Sequence, residues 1–125
     1  MNRKPIIIIL ALLLSACVNL QFDSLEYDRY ISIKQLSDQG SLLCGEPEVI
    51  GVIKQLSQEV NHQYIYAVNR EARPQVNEAA TNLKVIVDGL YNRYKKETPS
   101  KTYCREKFKN ISLGVDTIIR TLGRL

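Results

Sequence analysis

Few residues in this 125-residue chain are of a type and spacing that could do chemistry. Three are cysteines, Cys17, Cys44 and Cys104, whose sulfur can be alkylated, bind a metal or join a second sulfur. His62 is the only histidine. The chain has no His-Glu-x-x-His zinc motif, no Cys-x-x-Cys and no glycine-rich phosphate loop. Without Cys-x-x-Cys-His, covalent haem attachment is excluded. His62 therefore reads as a surface or boundary residue. The remaining candidate is a basic run: Arg93, Lys95, Lys96, Lys101, Arg105, Lys107 and Lys109, with only Glu97 and Glu106 against it. Tyr91, Tyr94 and Tyr103 are interleaved. Cations beside aromatic rings can hold carboxylates, phosphates or an acidic protein surface. The plain alternative is a solvated helix end, where Lys95-Lys96 would also suit the macrodipole. Arg93, Tyr94, Lys95, Lys96, Lys101, Tyr103 and Arg105 are the expected partner contacts. No catalytic residue, metal, cofactor, nucleic acid or small-molecule substrate is expected.

The elements that must position these residues are helices. Punctuation falls at Cys44-Gly45-Glu46-Pro47, at Arg73-Pro74 and at Thr98-Pro99-Ser100. Each proline suits the first turn of a following helix, where its missing N–H costs nothing. Three breaks make four helices. In the last, Cys104, Phe108, Ile111, Val115, Ile118, Leu122 and Leu125 recur at alternating steps of four and three. In the third, Val76, Ala80, Leu83, Val87, Leu90 and Tyr94 do the same. The second carries Val49, Ile53, Leu56, Val60, Tyr64 and Ala67. The first is weaker: Tyr30, Ile33, Leu36, Gly40 and Leu43. This is the period of amphipathic helices packing on one another, and useful period-2 alternation is absent. Short connections favour antiparallel neighbours, so the expected fold is an all-α, up-down-up-down four-helix bundle over residues 25–125.

The first seventeen residues differ from the rest. Asn2-Arg3-Lys4 is cationic, Ile6 to Leu14 is an unbroken apolar run, and Leu14-Ser15-Ala16-Cys17 closes it with small residues and a cysteine. A bilayer-spanning helix needs about 20 apolar residues, so the run is too short for a mature anchor. The segment resembles a bacterial lipoprotein (type II) signal peptide, with Leu14 to Cys17 as its lipobox. The resemblance implies cleavage before Cys17, a lipid (diacylglyceryl and palmitate-like acyl chains) on Cys17, and a tether over residues 17–24. In enteric lipoproteins an aspartate after the cysteine favours the inner membrane. Val18 stands there, so the resemblance implies an outer-membrane protein facing the periplasm, with surface display as the other possibility.

Lipidation of Cys17 leaves Cys44 and Cys104 as an even pair in an oxidising compartment, where they read as a disulfide. Both fall at the same end of an up-down bundle, opposite the tether. The chain from Cys17 onward carries 15 basic and 13 acidic residues, a net +2. Residues 18–72 are net −4 and residues 73–125 net +6, which points to a basic surface at one end.

Ile50, Ile65, Val68, Val85 and Leu113 lie beside the main stripes. A wide core stripe is preferred over a groove that takes an amphipathic helix. Gly51 and Gly89 fall at similar heights on adjacent helices, and close helix approach would account for them. The layout is similar to that of type II secretion pilotins, small lipoproteins with a four-helix bundle and a disulfide after the first helix and near the start of the last. That similarity implies a groove for the terminal helix of an envelope protein. The expected function is an outer-membrane lipoprotein that binds an envelope protein. The alternatives are an exclusion lipoprotein that blocks an envelope receptor, or a structural lipoprotein that contacts peptidoglycan.

Overall fold

The computed structural model describes residues 22–70 and 73–125. The apolar N-terminal run, the lipobox with Cys17 and most of the tether lie outside them. Four helices follow in order: α1 (Ser24–Leu42), α2 (Val49–Val68), α3 (Pro74–Lys96) and α4 (Lys101–Leu122). At 1.5 Å per residue each is roughly 30 Å long. α1 packs on α2 and α4, and α3 packs on the same two, so the helices form a ring of antiparallel neighbours. The up-down-up-down bundle holds. No described helix is long and apolar enough to cross a membrane.

The helix ends follow ordinary capping chemistry. The Asp23 carboxylate accepts the Leu25 and Glu26 N–H groups at the start of α1. This satisfies donors that the first turn leaves orphaned. Asp23 and Ser24 thus belong to the bundle, although the tether was expected to reach Ser24. Ser100 caps α4 by accepting from Tyr103 N–H. Pro74 opens α3 at its first turn. Pro47 and Pro99 do not open helices, contrary to expectation. Each precedes the cap residue, Glu48 or Ser100, and shapes the turn instead. Gly45 takes φ +93° in the first turn, a backbone conformation that side chains rarely tolerate.

The core is one cluster drawn from all four helices, with Ile53, Leu56, Leu83, Leu90, Phe108, Ile111, Ile118 and Leu122 among its buried members. Every expected α4 position is buried except Leu125, which lies past the helix end and is exposed. α1 departs most from its apolar pattern. Leu36 and Leu43 are only partly buried, while Glu26 and Ser37 are fully so. Ser37 Oγ donates to the Phe108 carbonyl at 3.3 Å, which lets a hydroxyl sit in the core. Gly40 lies against the Phe108 ring, and a Cβ there would clash with it. Gly40 is therefore the close-approach glycine. Gly51 and Gly89 are not: a Cβ on either would meet nothing within 4 Å.

The five surplus apolar residues are all exposed, so the wide core stripe is wrong. Ile65, Val85 and Leu113 each fall midway between two core positions, Gln63 and Ala67, Leu83 and Val87, Ile111 and Val115. Two residues turn a helix by about 200°, so these side chains point away from the core.

Candidate functional site

Cys44, just past α1, and Cys104, in the first turn of α4, are bonded, with Cα atoms 5.8 Å apart. Both are buried. The bond ties the α1–α2 turn to the α3–α4 turn at one end of the bundle. Between those turns lies a cleft of about 280 Å³. Pro47, Val49 and Ile50 form one wall, Tyr94, Thr98 and Pro99 the other, and Gly45 and Glu46 complete it. Tyr94 is half-buried. Burial, then the nearby Tyr103, pushes its hydroxyl pKa up, so it stays protonated at neutral pH and can donate or accept a hydrogen bond.

The basic residues ring this end unevenly. Arg93 pairs with Glu97 at 3.1 Å and lies 5.7 Å from the centre of the Tyr103 ring. Lys107 also stands over Tyr103, at 5.4 Å. Lys95 lies 4.2 Å from the Tyr91 ring centre. Tyr91, Tyr94 and Tyr103 themselves pack on the edge of the core. Tyr91 and Tyr103 are thus engaged with three of the cations. Among the described residues, no ion-pair or ring partner accompanies Lys96, Lys101 or Arg105. All three are exposed. The stem of Lys101 lies over Gly45, at the mouth of the cleft. Lys96 and Lys101 flank Thr98 and Pro99 from either side.

The structure therefore brings the seven expected contacts to one end and divides them. Lys96, Lys101 and Arg105 are available to a partner. Arg93 and Lys95 cover tyrosines, and Tyr94 lines the cleft. The cleft itself was missed, because it needs the two turns side by side. Ile50 was noticed only as a surplus apolar residue.

The opposite end carries a polar cluster that no motif in the sequence signals. Glu26 in α1 and Arg73, just before α3, are 1% and 3% exposed. Their side chains form a two-pronged ion pair, with Arg73 Nη2 donating to Glu26 Oε2 at 3.0 Å and Nη1 donating to Oε1. Burial opposes the Arg73 charge, but the hydrogen bonds and attraction of Glu26 outweigh it and raise the Arg73 pKa above its ordinary value. Arg70 Nη1 lies 3.8 Å from the same carboxylate. Burial, then the Glu26 charge, raises the Tyr30 pKa well above that of a free tyrosine. Tyr66 donates to Asp23 across the α1–α2 seam. His62 is exposed beside a small cavity of about 130 Å³ at this end. No three metal-binding side chains converge among the described residues.

A groove of about 420 Å³ runs between α1 and α2, with Ile33 and Leu36 at its base. Arg29, Ser32, Gln35, Gln39, Gln55 and Glu59 line the rest. Its walls are mostly polar, unlike an apolar trough for an amphipathic helix. The chain matches no family model, no curated protein and no solved structure with which it was compared. Its own residues must carry the functional reading.

Proposed function

We propose that this chain is a lipid-anchored, outer-membrane binding module that holds an acidic envelope protein at its disulfide-clamped end. The observation that carries this reading is the two-turn cleft with Lys101 at its mouth and the exposed Lys96 and Arg105 at the same end of the bundle. Apolar walls with Pro47 and Ile50 on one side and Pro99 on the other can take a side chain, while Lys96, Lys101 and Arg105 attract carboxylates to this end. The disulfide fixes both walls, so little ordering cost falls on binding. The lipobox at Leu14 to Cys17 supports the anchor, and the tether enters at the opposite end of the bundle. In this arrangement the protein stands on the membrane by one end and presents the other to the periplasm.

The test is capture of the native partner by crosslinking in the host envelope. Lys96→Glu, Lys101→Glu and Arg105→Glu together should reduce capture strongly, with the bundle still folded, because these sites lie off the core. Capture should also weaken as salt rises, since exposed charges are screened beyond about 10 Å at 0.1 M salt. Capture that survives both changes would assign the basic end to solvent. Ile50→Asp then tests whether the cleft alone suffices.

A further inference from the structure

The end of the bundle opposite the disulfide is unusually apolar on its outside. Ten large hydrophobic residues are exposed in the described chain, and six of them gather there: Phe22, Leu25, Ile65, Tyr66, Val68 and Leu125. Leu25 is 61% exposed and Ile65 50%. They come from three elements that meet at one rim: the start of α1, the last turn of α2 and the chain just past α4. Contacts join them. Tyr66 donates to Asp23, which sits between Phe22 and Leu25 in the chain. The Phe22 ring lies 5.9 Å from Tyr27, and Tyr27 lies against Gly123, two residues before Leu125. Around the rim, the described residues 22–29, 69, 70, 73 and 120–125 hold three acidic and five basic side chains, and Glu26 and Arg73 among them are buried as a pair, so the net charge is only +2. A contact made here is apolar in character.

We infer that this rim seats in the lipid surface, in the headgroup layer beside the anchor, so that the bundle docks end-on rather than swinging freely. The inference rests on the lipid-anchor reading of Cys17. Chain length argues for lipid as the occupant. Five residue steps separate Cys17 from Phe22, and a fully extended chain covers at most about 18 Å in that distance. Whatever its path, the tether keeps Phe22, on the rim, within that reach of the bilayer. So short a tether makes rim docking intramolecular, with a high effective concentration of lipid. Aromatic and aliphatic side chains of this kind bury about 5–10 Å into the boundary between headgroups and acyl chains. A soluble partner would have to reach the same rim inside that narrow gap.

The experiment uses the full chain made in its host, lipidated and disulfide-bonded, with one added thiol labelled by an environment-sensitive fluorophore. Asn69→Cys puts the probe at the end of α2, and Asn92→Cys puts it near the far end of α3. Both proteins are reconstituted in phosphatidylcholine vesicles whose acyl chains are brominated. The expected result is a blue shift and quenching at residue 69, neither at residue 92, and no change with salt. Leu25→Ser, Ile65→Ser and Val68→Ser together should abolish the signal at residue 69 while the lipid adduct on the Cys17 peptide remains. An unshifted, unquenched probe at residue 69 on lipidated protein would overturn the docking and leave the anchor standing. So would a stable dimer that the same serine substitutions dissociate, since the rim would then be covered by a second copy. A Cys17 peptide without lipid in the native protein would overturn the anchor, and the docking with it.

Discussion

Replacing Arg73 with methionine removes the guanidinium that grips Glu26 with both prongs, and it leaves a carboxylate buried at 1% exposure. Removing one partner of a buried pair costs about 3–5 kcal/mol, because the survivor keeps its charge without water or a counter-ion. Arg70 at 3.8 Å offsets part of this loss, so the lower figure applies, about 3 kcal/mol. Arg73 makes no side-chain cap bond to α3, so helix initiation is untouched. For a domain of this size about 3 kcal/mol lowers the melting temperature by roughly 12–24 °C. Glu26→Gln should cost a similar amount, since it strands Arg73. The double change Glu26→Leu with Arg73→Met should fall within about 1 kcal/mol of the native protein or above it, because apolar side chains of like volume need no partner. Urea denaturation followed by circular dichroism, with the disulfide oxidised, gives all three values. A loss below about 1 kcal/mol for Arg73→Met would refute the burial of Glu26. Additive losses in the double variant would refute the pairing itself.

Three further outcomes follow from the same physics. Reducing Cys44–Cys104 releases a closure of 60 residues and should lower stability by about 4 kcal/mol in the chain-entropy picture, read as a lower urea midpoint with dithiothreitol. Glycine-to-alanine changes should differ in sign: Gly40→Ala forces Phe108 to move and should cost about 1–3 kcal/mol, whereas Gly51→Ala and Gly89→Ala should each add about 0.5–1 kcal/mol, measured by the same denaturation. At low pH, Asp23 matters. The Tyr66 hydrogen bond, against partial desolvation and with backbone N–H groups and Arg70, holds its pKa below the ordinary value, so its contribution is present above about pH 4 and lost as pH falls through the folded value. Asp23→Asn keeps a cap but should flatten that acid limb.

The sequence was most readable where the core is apolar. The α4 residues from Cys104 to Leu122 and the α3 residues from Val76 to Leu90 recur at helical spacing, and every one of them is buried. The disulfide was readable from residue count and from the two cysteines falling at one end of an up-down bundle. α1 was hard to read because Glu26, Ser37 and Gly40 occupy core positions, and none of these types signals burial. Each is buried through a residue distant in sequence: Arg73 for Glu26, Phe108 for Ser37 and Gly40. The glycines failed for a related reason. Choosing Gly40 over Gly51 needs the register between helices, which no single stripe contains. The exposure of Val85 and Leu113 was within reach, since each lies half-way between two apolar stripe residues, whereas for Ile65 the buried position is Gln63 and the stripe residue Tyr64 is only half-buried. For the basic run, helical position alone could not separate Lys95, which covers Tyr91, from Lys96, its neighbour without such a partner.

The Cys44–Cys104 bond has a mechanical consequence. It bridges the end of α1 to the start of α4, so the covalent path from the N-terminal side of the bundle to the far end need not pass through α2 or α3. A pull between the two ends would travel along the 19 residues of α1, cross the sulfur bridge and arrive at the cleft. The body of the α2–α3 hairpin lies within the loop that the bond closes, off the shortest covalent route between the two ends. Along this route α1 is held to α4 by polar contacts as well as packing: Lys34 grips Asp116 at 2.7 Å, and Ser112 links Lys34 to Asp38. A bundle so wired can be pulled from end to end while most of the α2–α3 hairpin stays off the shortest covalent path.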